Sequence, residues 1–285
     1  LQSTRHIAIV CNPKSGKGLP LKWLPKVVYT IQQHQFTYEV FTQQLPHNLS
    51  AFSDLIIMGG DGTINYTVNH FKEIPIPIGI IRCGTGNDFS ELLFGKKTIE
   101  EHIKTALFGK PKYIDAGKCN DTLFMNGVGI GFDGWVVKKL LAKNLFRGKA
   151  AYYSTVISLL LFYRESNITL TVDGETFETS LFMLSAANGK TYGGGFKVAP
   201  RASVTDGLLE CIVVKKISLL QRLKYLPILE KGKHLDKPLT FIKYKQAKKI
   251  TITSNHPLQA HLDGEHLLAK SFDITIEPQK YLIRY

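Results

Sequence analysis

Two carboxylates occupy matching surroundings. Asp61 lies in "IIMGGDGTIN" (56–65) and Asp88 in "IPIGIIRCGTGNDFS" (76–90). In each, an apolar run ends in glycines, one acid follows, and a helical pattern begins. Ile64, Val68 and Phe71 are spaced as one helix face, which starts the first helix just after Gly62; Phe89, Leu92 and Leu93 mark the second, from about Asn87. Glycines admit positive φ and let the backbone approach a ligand closely. A helix starting there turns its free N–H groups and positive dipole end toward the same point. That combination suits phosphate. A carboxylate beside phosphate repels it, unless the acid holds a Mg²⁺ that bridges the phosphate oxygens. Each stretch alone also reads as a tight strand-to-helix turn, and Asp88 as an ordinary N-terminal helix acid. Their repetition favours one crevice at the carboxyl ends of neighbouring parallel strands.

Three other motifs carry weaker chemistry. "CNPKSGKG" (11–18) follows an apolar run and resembles a phosphate loop. It departs from G-x-x-x-x-G-K-[ST], with Cys11 in the first position and Gly18 in the last, which excludes Walker-type chemistry and leaves a looser nucleotide contact. "GIGFDG" (129–134) matches G-x-G-x-x-G, but a dinucleotide site wants an acid about 20 positions on, and "KAAYYS" (149–154) holds none. Its glycines are therefore read as packing residues. "HLDGEH" (261–266) reads first as a hairpin turn at Asp263-Gly264, with Glu265 the residue after it.

The elements that would position these residues change texture along the chain. Strands at 6–11, 36–42, 54–58 and 76–81 alternate with helices at 20–34, from Thr63 and from about Asn87, the pattern of a parallel sheet covered by helices. After about residue 115, strands at 208–214, 249–253, 258–267 and 272–278 join a hairpin in 168–185 around Asp173-Gly174, with helices at 133–144, 148–163 and 217–231 between them. Two domains follow: an α/β nucleotide-binding domain over 1–118, to which a tail at about 278–285 is free to return, and a β-rich domain over 119–277.

Composition bounds the partners. The 285-residue, 32.0 kDa chain is 44% hydrophobic, enough for a packed core, and its four cysteines form no C-x-x-C pair, which suggests reduced thiols rather than a disulfide or zinc framework. No signal peptide is visible at the start, and the longest apolar stretch, "VISLLLFY" (156–163), is shorter than the roughly 20 residues of a spanning helix. The expectation is a soluble or surface-bound protein. Net charge is +13, and residues 215–249 hold 11 Lys and Arg against two acids. Such a surface suits nucleic acid, anionic lipid or a phosphorylated molecule, or is simply a solvated face.

Together "NPKSGKG", "GGDGTIN", "GTGNDFS", "GVGIGFDG", "GGGFKVAPRASVTDGLLE" and "LDGE" resemble the bacterial diacylglycerol kinase family, whose catalytic domain sphingosine and ceramide kinases share. The match runs in order from about residue 6 to 277. GGDGT alone is less specific, since NAD kinases and phosphofructokinases use similar turns. The resemblance implies an NAD-kinase- and phosphofructokinase-like α/β domain with a parallel sheet, and an antiparallel sandwich with a few helices, with ATP and substrate in the cleft between them. It implies that Asn12, Pro13, Lys14, Ser15, Gly16, Thr42, Gly59, Gly60, Asp61, Gly62, Thr63, Ile64, Asn65 and Thr85 line the ATP site. Asp61, Asp88 and Asp115 would form the carboxylate and water network around the nucleotide's Mg²⁺. A second, structural Mg²⁺ would sit on Asp206 with the Ser203 and Leu208 carbonyls. Glu265 matches the family's general base.

The reading is an ATP- and Mg²⁺-dependent lipid kinase that converts diacylglycerol to phosphatidate, cytoplasmic and held on the inner face of an anionic membrane by its basic excess. Alternatives are another lipid alcohol such as a sphingoid base, a soluble acceptor as in NAD kinases, or a non-catalytic lipid- or nucleotide-binding module. A homodimer is left open, and nucleic-acid binding lacks a motif. Two features depart from the family: Tyr66 stands where Glu usually follows GGDGTxN, and the 43–53 segment is shortened.

Overall fold

The computed structural model describes residues 5–142, 149–193 and 195–285. The last two positions of the 133–144 stretch, the first of the 148–163 stretch and Gly194 of the 193–195 glycine run lie outside the described residues. The chain divides into two compact units, Leu1–Asp115 with Gln279–Tyr285, and Ala116–Pro278.

The first unit carries β1 (His6–Cys11), α1 (Leu19–Gln33), β2 (Thr37–Phe41), β3 (Asp54–Gly59), α2 (Asp61–Phe71), β4 (Ile78–Arg82), α3 (Asp88–Phe94) and α4 (Ile99–Phe108), and ends within β5 (Pro111–Cys119). All strand pairs in the order β4-β3-β1-β2 are parallel. Such strands are covered on both faces, which accounts for their unbroken apolar runs. Ile7, Ile9, Ile56 and Met58 pack with Val27 and Ile31 of α1 and with Ile103 and Leu107 of α4. Sequence periodicity left α4 out; its signal was the capping box of Thr98 and Glu101, whose side chains each accept the other's backbone N–H. The last residues of the chain return here, where Ile283 pairs parallel with Ile78.

One buried carboxylate ties that return together. Asp54 Oδ1 accepts from Arg284 Nε and Nη2 at 3.0 and 2.7 Å, and Oδ2 accepts from Arg5 Nε at 2.8 Å. The guanidiniums also donate to the Leu107 and Gly109 carbonyls. Removing one member of such a group leaves the others charged and uncompensated. Asp54→Ala is expected to cost about 3–5 kcal/mol, read from urea unfolding; a loss below about 1 kcal/mol contradicts this account.

The second unit continues from β5 through β6 (Thr122–Phe124), β7 (Gly127–Gly131), α5 (Phe132–Ala142), α6 (Lys149–Phe162), β8 (Ser166–Val172), β9 (Glu175–Ala187), β10 (Leu209–Lys215), α7 (Leu219–Glu230), β11 (Ile242–Ala247), β12 (Lys249–Leu262) and most of β13 (Glu265–Arg284). Long strands join the two layers expected of a sandwich. β9 pairs β8 with its first half and β7 and β10 with its second, and β12 pairs β8 and then β7. Strands β7, β9, β8 and β12 thus close around Val128, Leu170, Leu184, Ile252 and Ala260. The expected strands 249–253 and 258–267 are one β12 with a register shift between Thr253 and Leu258, then a turn into β13. A second cluster packs α5, α6 and α7 on the outer side of β9 and β10.

Candidate functional site

Three loops of the first unit meet at the carboxyl ends of β1, β3 and β4. Strand order reverses at β1, which has β2 on one side and β3 on the other, and ligands of open α/β sheets bind at such a point. Helix α2 begins at Asp61, two residues before the expected Thr63. The reason is Gly60: it is extended at φ −106°, and its carbonyl already accepts the Thr63 and Ile64 N–H groups. Asp61 therefore sits in the first helical turn. Its Oδ2 accepts the backbone N–H of Asp88 at 2.8 Å, so the two motifs are bonded to each other.

The glycines allow this approach. A Cβ on Gly60 would lie 2.8 Å from Gly84 Cα, and one on Gly16 would lie 2.1 Å from the Cys83 carbonyl oxygen. Asn87, itself at φ +58°, braces the second turn by accepting from the Gly84 N–H and donating to the Gly84 carbonyl. Asn12 Nδ2 donates to Thr63 Oγ1 at 2.9 Å, and Ser15 Oγ lies 3.2 Å from the same hydroxyl. The structure thus brings together the loops holding Asn12 to Gly16, Gly59 to Asn65, and Thr85 to Asp88. The Ile64 side chain is buried, leaving only its backbone to face a ligand, and Thr42 is exposed one residue past β2. Asp115 is buried on β5 and accepts the Gln279 N–H at 2.8 Å. The neighbouring thiols offer no nucleophile: burial raises Cys11, and burial and then Cys11 push Cys83 up to about 12.

In the second unit, Asp263 and Gly264 both have positive φ and form the β12–β13 turn. Asp263 does more than turn the chain. Its carboxylate accepts the N–H groups of Met125, Asn126 and Gly127 at 2.7–2.9 Å, fixing the hairpin tip to the start of β7 and the two residues before it. Glu265 is exposed as the first residue of β13, paired in register with Leu262. In the loop before β10, Asp206 Oδ1 accepts the Leu208 N–H at 3.1 Å, and Ser203 Oγ accepts the Thr205 N–H at 3.4 Å.

An apolar cavity lies between α5, α6, α7 and β9, lined by Phe132, Val136, Val156, Leu160, Phe182 and Leu226, with Asp133, Tyr192 and Arg222 as polar members. The sequence reading assigned GIGFDG to packing, and its glycines do pack: a Cβ on Gly134 would lie 2.2 Å from the Gln259 carbonyl carbon. It missed Asp133. That carboxyl is buried, its Oδ2 has no hydrogen-bond partner, and burial pushes it up to about 7. A sequence signal existed, since Asp133 is the lone acid in an apolar, glycine-rich run. His261, which like Asp133 lies against Gly129, is pulled down to about 4 by burial.

These two groups give opposite pH slopes. Between about pH 4 and 6.5 the native state binds the Asp133 proton more tightly than the unfolded chain, so stability falls as pH rises; for His261 it rises. Asp133→Asn removes the first slope alone. The variant is expected to gain on the parent by on the order of 1–4 kcal/mol as pH climbs, levelling off above about 7. A stability difference independent of pH contradicts a buried acid held protonated.

Comparison with known proteins decides the family. Residues 6–119 match the diacylglycerol kinase catalytic domain, and residues 126–283 match the YegS C-terminal NAD kinase beta sandwich-like domain. The diacylglycerol kinase of Staphylococcus saprophyticus is 30% identical over 92% of this chain and 89% of its own length; that of Bacillus subtilis is 27% identical over 92% and 90%. The chain belongs to the diacylglycerol kinase family. It is accordingly a kinase, a phosphotransferase. A crystal structure of a diacylglycerol kinase from Bacillus anthracis superposes with a TM-score of 0.77 at 23% identity, covering 100% of this chain and 98% of that one. An Archaeoglobus fulgidus NAD kinase in complex with ATP shares the fold, with a TM-score of 0.59 at 16% identity.

The Asp61 carboxylate stands where the two glycine loops meet, and Asp206 is exposed in the loop before β10; carboxylate oxygens of this kind are the hard donors that Mg²⁺ takes. Among the described residues no group of three or more His, Cys, Asp or Glu is clustered, so any ion must rely on carbonyls, phosphates and water as well. Tyr66, the departure at the glycine motif, projects from α2 and is 62% exposed. The shortened 43–53 segment is held by Leu49 and Phe52, the latter stacked on the His6 ring at 4.8 Å.

Proposed function

We propose that the chain transfers the γ-phosphate of ATP to the free hydroxyl of diacylglycerol, giving phosphatidate and ADP. The observation that carries this reading is the bond between the two glycine motifs, where the Asp88 N–H meets Asp61 and Gly60 lies against Gly84. Backbone of both glycine turns and the Asp61 carboxylate are gathered there, the donor set that a polyphosphate and its metal would approach. Asn12 and Ser15, fixed on Thr63, orient the loop after β1 beside it. Asp61 and Asp88 would hold the nucleotide's Mg²⁺, with Asp115 in the water network behind them, and Asp206 with the Ser203 and Leu208 carbonyls would hold a structural ion. Bound Mg²⁺ would neutralise charge on the phosphates, which together with positioning is most of what phosphoryl transfer asks of a protein.

The acceptor side rests on the second unit. Glu265, exposed and free to approach a substrate hydroxyl, takes its proton as the oxygen bonds to the γ-phosphorus and the bond to the β,γ-bridging oxygen breaks. The apolar cavity is suited to acyl chain rather than to a sugar or a nucleotide. With γ-labelled ATP and diacylglycerol in mixed micelles, label is expected in phosphatidate, to stop with EDTA and to return when Mg²⁺ is restored. Transfer unaffected by chelation contradicts the assignment of the carboxylates.

A further inference from the structure

Strand β7 reads G-V-G-I-G. Val128 and Ile130 enter the core, so alternation leaves the opposite face of the strand as bare backbone. Side chains of other elements settle directly on it. A Cβ on Gly127 would lie 2.9 Å from Tyr192 Cε1, and one on Gly131 3.0 Å from the Tyr163 hydroxyl. Between them, a Cβ on Gly129 would lie 2.4 Å from His261 Nε2 and 2.9 Å from Asp133 Oδ2. The glycines that lack a dinucleotide partner thus seat a polar row inside the second unit.

That row meets the apolar cavity at Asp133 and Tyr192, which both line it. The Tyr192 hydroxyl is already bonded to Ser185 Oγ. Asp133 Oδ2 is buried and has no hydrogen-bond partner. Burial disfavours the charged form, so below about pH 7 the carboxyl keeps its proton and is a hydrogen-bond donor. His261 shows which way this end of the cavity faces. Its Nδ1 accepts the Gly264 N–H at 3.4 Å, which leaves the proton of the neutral ring on Nε2, against Gly129. The imidazole therefore spans from the turn that carries Glu265 to the side of Asp133.

A single uncharged donor in an apolar wall recognises a single acceptor, because a buried polar group left unpaired costs free energy that a ligand acceptor restores. An ammonium group would instead require Asp133 as carboxylate, and so two buried ions in the same wall. The other charged member of the lining, Arg222, is already matched by Glu165 at 2.7 Å. A diacyl lipid supplies the acceptor required. Its ester carbonyls stand a few bonds from the free hydroxyl, and its acyl chains continue from them into apolar space.

We propose that Asp133 determines which lipids the cavity takes, donating from its carboxyl to one ester carbonyl and so selecting uncharged ester lipids over lipid amines and over ether lipids. The proposal rests on the lipid-kinase reading and adds to it the chemical class of lipid.

The test compares diacylglycerol with the dialkylglycerol of equal chain length, which keeps the hydroxyl and lacks both carbonyls. The parent is expected to favour the diester about tenfold or more in kcat/KM. Asp133→Asn, whose amide still donates, is expected to keep that preference, and Asp133→Val to erase it. The ratio is taken within each variant, so a partly unfolded sample does not alter it. Binding is read separately, without ATP, by isotope-edited infrared spectroscopy of diacylglycerol labelled with carbon-13 at each ester carbonyl in turn. One carbonyl band is expected at lower frequency on the parent and Asp133→Asn than on Asp133→Val. Equal ester-to-ether ratios in the parent and Asp133→Val overturn the proposal, while transfer to either glyceride leaves the lipid-kinase reading standing. With transfer to neither, the infrared band decides: no difference between the parent and Asp133→Val overturns the proposal. A sphingoid base preferred over the diester by the parent but not by Asp133→Val overturns it too, since Asp133 then serves a cation.

Discussion

Asp61→Asn is expected to lower phosphate transfer by about 10²–10³-fold or more, with the fold intact. The substitution separates two roles of one side chain. The Asp61 carboxylate accepts the Asp88 N–H, and an asparagine side-chain oxygen accepts it equally well, so the contact between the glycine motifs survives. What disappears is the negative charge assigned to the metal. Asp61→Ala loses both, and its effect on the neighbouring loop should appear as weaker ATP binding as well as lost turnover. Comparing the pair assigns the loss to charge or to loop geometry. Unchanged turnover in Asp61→Asn would return GGDGT to being a tight turn.

Glu265→Gln is expected to reduce turnover by about 10²–10⁴-fold, with ATP bound as tightly as in the parent. Stability should not change, because Glu265 is exposed at the start of β13 and the turn is held by its neighbour Asp263 through three backbone N–H groups. The contrast with Asp263 is itself a check. Asp263→Asn should loosen the hairpin tip and lower stability, since a neutral amide is a weaker acceptor for those N–H groups. Full activity in Glu265→Gln contradicts its role as the base.

The alternation of apolar runs with helix-spaced residues made the first unit legible, because parallel strands covered on both faces leave a strong signal. Helix α4 is absent from the sequence reading: its inward residues, Ile103, Ala106 and Leu107, make one short apolar stripe, and only the capping box marks its start. The start of α2 was misplaced because Gly60 as a cap leaves no side-chain signature. In the second unit, local hairpin signals located individual strands, but the long β9 and β12 that join its layers depend on pairings between distant segments. The unit boundary falls inside β5 after Asp115, at the change of texture near residue 115 and three residues before the expected 118, because the strand runs on without a loop to mark the end of the unit. For the site, residue types pointed to Asp61 and Asp88, whereas Asp133 and Asp263 gain their character only from burial and from partners far along the chain.

The proposed reaction is one transfer: the γ-phosphate of ATP to a lipid hydroxyl. Its most direct test is competition in a single reaction, with γ-labelled ATP, Mg²⁺ and the full chain offered diacylglycerol, a sphingoid base and NAD together. Label accumulating chiefly in phosphatidate is the predicted result. Label in NADP, or in none of the three while ATP still binds, would contradict it.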